Sequence, residues 1–309
     1  MNHHKIYAII VARQGSTRLP NKALIELEGK PLIGHIVDRA RASKYISGVV
    51  IATSTNIEDS SIERYGNFIN VPVFRGSPED VLDRIYNASI NIDASAFIEI
   101  GGDCPFVCPE LIDKGIETYF ENDHADMVSN ALVSPFTYPV GYDFILITKK
   151  ALEIAHQSAI LSSERFQPFQ YIIKHPKLFK VCSFFSEKNF NHWRWTLDYP
   201  EDLQFVKTAY ANLYKINPFF GFKEIYELIK KDNSITSINQ MHAERVQENT
   251  AWFTGSYVKE VHNDVKVLLQ KAYILESARQ YTDLPVLYEN IQVLIKDLEK
   301  RSIAKSTHA

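Results

Sequence analysis

Four short apolar runs, residues 6–12, 49–53, 71–74 and 97–100, punctuate the first hundred positions, and segments of helical period lie between them, notably 32–42 and 81–90. Unbroken apolar runs of this length suit strands buried on both faces. Their alternation with helices suits βα units that feed a mostly parallel sheet covered on either side. The pattern predicts an α/β, Rossmann-like, doubly wound core over about residues 5–130. Ligands of such sheets bind beyond the carboxyl ends of the strands. Two polar stretches fall there, "ARQGSTRLPNK" after the first run and "GGDCP" after the fourth.

Residues 126–185 are mixed, with an extended "GYDFILIT", a helix over 149–158 and a helical piece over 166–174, and they predict an insertion or lid on the same domain. A strand-like "HWRWTLD" then precedes "YPEDLQFVKTAYANLY", where Pro200, Glu201 and Asp202 mark a helix N-terminus. Beyond residue 240, Val258, Val261, Val265, Leu268, Ala272 and Leu275 recur at helical spacing, and Leu284, Leu287, Ile291, Leu294 and Leu298 do so again. The chain thus divides into a catalytic unit, 1–240, and a helical hairpin, 241–309. The hairpin's apolar stripes need a cover, either the catalytic unit or a second copy of the chain, and the second reading predicts self-association as a dimer.

The opening loop lacks P-loop spacing but carries Arg13, Arg18 and Lys22. Gly15 permits close backbone approach, Ser16 and Thr17 add donors, and Pro20 delays a helix, so the three cations are free to converge. Forked arginines with a mobile lysine suit a polyphosphate, although basic residues beside glycine are also common in solvated loops. Asp103 and Asp198 each end an apolar run. Together they could share one Mg²⁺ with phosphate oxygens, while each alone equally suits a turn or a helix cap.

Net charge is −3, which excludes an extended nucleic-acid surface and leaves small anions as ligands. Three cysteines form no disulfide framework and indicate a reducing, cytoplasmic setting; Cys104 and Cys108 lack the further ligands of a zinc site. The apolar run at the amino terminus is too short for a signal sequence or a membrane span. Trp193 and Trp195 fall on one face if their segment is extended, where packing is the commoner use. Arg194 then points the other way, where it could approach the acidic site or equally pair with Asp198 or with surface carboxylates. Glu79, Asp80 and Asp83 suit a helix start after Pro78.

"IIVARQGSTRLPNKAL", "FRGSPEDVLDR", "IGGDCPFVCPELID", "YPVGYDFIL" and "RWTLDYPEDLQFV" stand in the order found in the CTP-dependent sugar nucleotidyltransferases. The chain most resembles the spore-coat polysaccharide cytidylyltransferases, with CMP-Kdo and CMP-sialic acid synthetases more distant, over about residues 5–240. The resemblance implies that Arg13, Ser16, Arg18 and Lys22 grip the CTP phosphates, that Asp103 and Asp198 hold Mg²⁺, and that Arg75 and Ser77 lie near base and ribose. It implies attack by an acceptor hydroxyl on the α-phosphorus of CTP, with pyrophosphate leaving. Two segments depart from the family pattern. Val140 and Ile145 replace acids of "YPDGLDVE", and Arg165 and Gln167 replace the histidine and threonine of "REHVTP", which puts the acceptor in question. A nucleotide-sugar-dependent glycosyltransferase and a non-catalytic nucleotide-binding assembly protein are the competing readings.

Dimerisation through the C-terminal helices predicts a dimer mass by light scattering for the full chain and a monomer mass for a chain ending near residue 245. A monomer in both would refute it.

Overall fold

The computed structural model describes residues 5–123 and 125–243, together with residues 265, 268–269, 285–286, 288–293 and 295. Elements in chain order are β1 (Ile6–Val11), β2 (Glu26–Leu27), β3 (Lys30–Pro31), α1 (Leu32–Arg41), β4 (Ile46–Ser54), α2 (Ser60–Phe68), β5 (Val73–Gly76) and α3 (Val81–Ser89). They continue as β6 (Ala96–Gly101), α4 (Pro109–Glu121), β7 (Met127–Ser129), β8 (Ile145–Thr148), α5 (Lys149–Ser158), α6 (Ser162–Phe166), α7 (Gln170–Lys174), β9 (Val181–Ser183), α8 (Pro200–Leu213), α9 (Phe222–Lys231) and α10 (Ser234–Ser237).

Seven strands form one sheet in the order β5-β4-β1-β6-β8-β7-β9. β5, β4, β1 and β6 are parallel, β8 runs antiparallel to both β6 and β7, and β9 is parallel to β7. Strand side chains alternate between two cores. Ile6, Ala8 and Ile10 of β1 join Ile36 of α1, Ile112 of α4 and Phe205 of α8. Ile9 joins Ile85 of α3 and Leu152 of α5 on the other face. Both faces are therefore covered, which is why β1, β4 and β6 read as unbroken apolar runs. The predicted Rossmann-like class holds.

The segment predicted as an insertion or lid instead completes the sheet, because β8, β7 and β9 extend it beyond β6. The helical piece over 166–174 is two short helices, α6 and α7. "HWRWTLD" is not a strand. It makes one isolated bridge, Arg194 to Val140, with the Trp195 N–H donating to the Val140 carbonyl at 2.7 Å. Of the C-terminal stripes, Val265, Leu268 and Ile291 are described; Val265 and Leu268 pack against Leu161. The rest of the predicted hairpin lies outside the described residues.

The order of strands reverses at β1, where the chain goes first to β4 and β5 and later to β6 on the other side. The carboxyl ends of β1 and β6 therefore open a crevice. Gly102 fixes its floor: its N–H donates to the Val11 carbonyl at 2.8 Å, and a Cβ there would lie 2.7 Å from Ala12 Cβ and 3.0 Å from the Val11 oxygen. Gly141 (φ +87°) plays the same part beyond β6, with a Cβ meeting the Thr196 nitrogen at 2.5 Å. Gly102→Ala should cost about 1–3 kcal/mol of stability, because the atoms it meets are chiefly backbone. Urea denaturation measures this, and an unchanged midpoint and slope would contradict it.

Candidate active site

The loop after β1 is tied down at its root. The Gln14 N–H donates to Asp59 Oδ1 at 2.6 Å, and Asp59, fully buried, also accepts from the Ser54 hydroxyl at the end of β4. Ser16 Oγ accepts from the Leu19 N–H at 3.3 Å, and Asn21 turns through a left-handed conformation (φ +58°) into Lys22. Arg13 and Arg18 are left exposed and Lys22 half-buried.

Lys22 Nζ lies 2.8 Å from Asp103 Oδ2 and 2.8 Å from Asp198 Oδ1. Two acids far apart in sequence thus converge on one cation. Asp103 follows β6 directly. Asp198 arrives because its segment binds the backbone beside it: the Leu197 N–H and the Thr196 hydroxyl both donate to the Asp103 carbonyl, at 2.9 and 3.2 Å. Arg194, 7% exposed, holds the acids from behind, with Nη2 3.2 Å from Asp198 Oδ2 and 3.0 Å from Asp202 Oδ2. Asp202 Oδ2 also accepts the N–H groups of Asp198 and Tyr199, each at 3.0 Å, closing the turn that presents Asp198.

Electrostatics follow this geometry. Burial favours a neutral Asp198, but Lys22, Arg194 and Arg18 outweigh it and hold the carboxyl below its ordinary pKa. Burial also opposes the Lys22 charge, and Asp103 and Asp198 outweigh that to hold the ammonium above its ordinary value. Behind Asp103 the balance reverses. Burial, then Asp103 and Asp143, push Glu99 up to about 8; burial, then Asp103, push Asp143 up to about 7.

A cavity of about 570 Å³ opens over these groups, lined among others by Arg13, Gly15, Ser16, Arg18, Lys22, Asp103 and Asp198. The loop cations and both acids therefore face one space. Arg75 and Ser77 do not line it. The Arg75 guanidinium donates to the carbonyls of Ser54 and Asn56 and to Glu63, and Ser77 Oγ accepts the Asp80 N–H at 3.0 Å. Both are spent on local structure. In their stead Arg84 and Phe166 line the cavity. Arg84 is 2% exposed and its Nε has no hydrogen-bond partner among the described residues; burial and then Arg13 lower its pKa. Its signal in the sequence was an arginine on the apolar stripe of α3, one turn from Val81 and Ala88. Phe166, 47% exposed, lies under the Arg13 guanidinium at 5.7 Å and carried no comparable signal.

Among the described residues no group of three or more His, Cys, Asp or Glu side chains could hold a metal ion. Asp103 and Asp198 fit Mg²⁺ in its usual protein setting, one or two carboxylates completed by substrate phosphates, and Lys22 Nζ already marks a point where a cation meets both.

The family model for cytidylyltransferases matches residues 7–216. The chain belongs to the cytidylyltransferase family. An uncharacterized protein of Methanocaldococcus jannaschii is 34% identical over 237 residues, spanning 76% of this chain and 94% of that protein. The spore coat polysaccharide biosynthesis protein SpsF of Bacillus subtilis is 33% identical over 216 residues, 66% of this chain and 86% of that protein. A cytidylyltransferase from Leptospira borgpetersenii superposes with a TM-score of 0.71 at 27% identity, covering 76% of this chain and 97% of its own.

The positions at which this cytidylyltransferase departs from the family pattern are structurally occupied. Val140 forms the bridge to Arg194, and Ile145 begins β8, paired with Glu99. Arg165 lies 2.7 Å from Asp80 Oδ2 and donates to the His156 carbonyl at 2.7 Å, clipping α6 to α3 and α5. Asp80 also caps α3 by accepting the Asp83 N–H, and Asp83 lies in its first turn. Trp193 and Trp195 stack at 6.0 Å within an aromatic cluster, and Cys104 and Cys108 are buried, the latter 2.8 Å from the Tyr142 hydroxyl. No helix among the described residues is long and apolar enough to cross a membrane.

Asp59→Ala strands the Gln14 N–H and frees the root of the loop. It should lower stability by about 2 kcal/mol, and Asp59→Asn by less, since one acceptor survives. Chemical denaturation of the three proteins checks the order.

Proposed function

We propose that this cytidylyltransferase transfers CMP from CTP to a sugar or sugar-like acceptor, with release of pyrophosphate and dependence on Mg²⁺, in the synthesis of a surface polysaccharide. The likeness to a spore coat polysaccharide protein supports the pathway. One observation carries the chemistry: Lys22 Nζ sits 2.8 Å from each of two carboxylates at the mouth of a cavity that Arg13 and Arg18 also line. Cations and acids so arranged serve phosphoryl transfer, where positioning and charge neutralisation do most of the work.

Arg13, Arg18 and Lys22 bind the triphosphate and neutralise the charge that collects on the departing pyrophosphate. Gly15 and Ser16 let the backbone approach the phosphates. Asp103 and Asp198 would hold the divalent ion, which when bound supplies further neutralisation of the phosphate oxygens. In the ligand-free site the Lys22 ammonium stands between the two carboxylates; an arriving triphosphate competes for that ammonium. No covalent enzyme intermediate is required, and no serine or cysteine is assigned as nucleophile. Residues 1–240 carry this activity in our reading, and the helical extension beyond them serves self-association in the cytoplasm.

Incubation with each nucleoside triphosphate, Mg²⁺ and a panel of sugar acceptors should release pyrophosphate with CTP and give a product heavier by one CMP. Asp103→Asn should reduce turnover by about two orders of magnitude or more with an unchanged circular dichroism spectrum. Tight CTP binding without product across the panel, or near-normal turnover by the variant, would defeat the assignment.

A further inference from the structure

Arg18 rests on a ring. Its Nη1 donates to the Tyr199 hydroxyl at 3.0 Å, and its guanidinium carbon lies 4.7 Å from the centre of the same ring. The His242 imidazole stacks on Tyr199 as well, with centroids 3.9 Å apart and planes 7° from parallel. His242 is itself held, its Nε2 3.0 Å from Glu201 Oε2 in the first turn of α8. Three residues earlier Asn239, 2% exposed, donates through Nδ2 to the Arg194 carbonyl and to Asp202 Oδ1, both at 2.9 Å. The turn at 239–242 therefore braces the frame behind Asp198 with one residue and the ring beneath Arg18 with another. That turn lies past residue 216, where the match to the family model ends.

We infer that His242, acting through Tyr199, is a positioning residue that presents Arg18 to the nucleotide phosphates; this rests on the proposed use of CTP. The physical need is plain. Arg18 has a side chain 54% exposed and lies 3.6 Å from Asp198 Oδ1. An unsupported arginine has two poor options, many solvated rotamers or collapse onto that carboxylate, and each raises the cost of gripping a phosphate. Tyr199 offers it a third position through an aromatic face and a hydroxyl acceptor. The ring can do so only while its own plane is fixed; the Arg194 guanidinium lies 5.5 Å from its centre, and the stacked imidazole adds the closer restraint, from a different part of the chain. The role is steric and aromatic, not acid–base, so a flat uncharged ring at position 242 suffices.

The test uses the full chain. With saturating acceptor, His242→Ala should raise the KM for CTP about five-fold, the scale of one exposed cation–aromatic contact, while kcat changes less than two-fold. Calorimetric titration with CTP should show the same weakening. His242→Phe, which keeps the stack and loses the Glu201 contact, should restore both values. If His242→Ala melts below the assay temperature, His242→Gln takes its place with the same expectations. A KM for CTP unmoved by loss of the ring, or a folded His242→Phe that fails to restore it, overturns the inference. A wild-type protein that binds no CTP removes the nucleotide reading and the inference with it; a wild type that binds, beside a variant that binds equally well, removes the inference alone.

Discussion

Two carboxylates held at one point by a lysine are the constraint around which the rest of the molecule is arranged. Their oxygens are at most about 5.6 Å apart across Lys22 Nζ. With an effective dielectric of about 20, their mutual repulsion is at least about 3 kcal/mol, which a cation between them relieves. The attraction of either acid to an ammonium at 2.8 Å is about twice that on the same scale, so the site closes on a positive charge and is strained without one. Gly102, Gly141 and the Arg194–Asp202–Asn239 cluster all act to bring Asp103 and Asp198 to that point.

The two signs of charge are carried on different kinds of structure. The acids stand at the end of the sheet and on a segment hydrogen-bonded to it, so their backbone positions are set by the sheet. The cations stand on a loop fastened at one buried point, Asp59, with long side chains beyond it. Such a division suits a reaction in which the site of charge development must be fixed while the groups that follow a departing phosphate must reach. Rigid acids and reaching cations could exchange these roles only with loss of precision, because an aspartate on a loop defines no point and an arginine inside a sheet cannot travel.

How much of this was legible in the sequence depended on what each residue answered to. β1, β4 and β6 announced themselves, since a strand buried on both faces must be apolar throughout. β7 did not, because three residues carry too little pattern to separate a sheet strand from a loop; β8 was read as extended within "GYDFILIT", but its region was assigned to an insertion and not to the sheet. "HWRWTLD" imitated a strand: its alternating tryptophans answer to an aromatic cluster, not to a ladder. The loop cations were visible from composition and spacing, but the meeting of Asp103 with Asp198 is set by tertiary hydrogen bonds to a carbonyl and rested in the sequence on resemblance alone. Arg75 was placed near the base by resemblance alone, and here its donors are consumed by carbonyls and Glu63.

The segments that depart from the family pattern keep little free negative charge. Acids of the family pattern give way to Val140, in a backbone bridge, and Ile145, 8% exposed beside Glu99. Glu99 and Asp143 remain, but burial raises them to about 8 and about 7, so neither brings a full charge at neutral pH. Arg165 is neutralised by Asp80. Four cations, Arg13, Arg18, Lys22 and Arg84, then line the cavity against two acids, Asp103 and Asp198. An excess of positive charge in a partly enclosed space favours anions over neutral molecules at every step of entry. The half-exposed Phe166 adds apolar surface among those charges, beside Val11, Ala12, Ala23 and Val81.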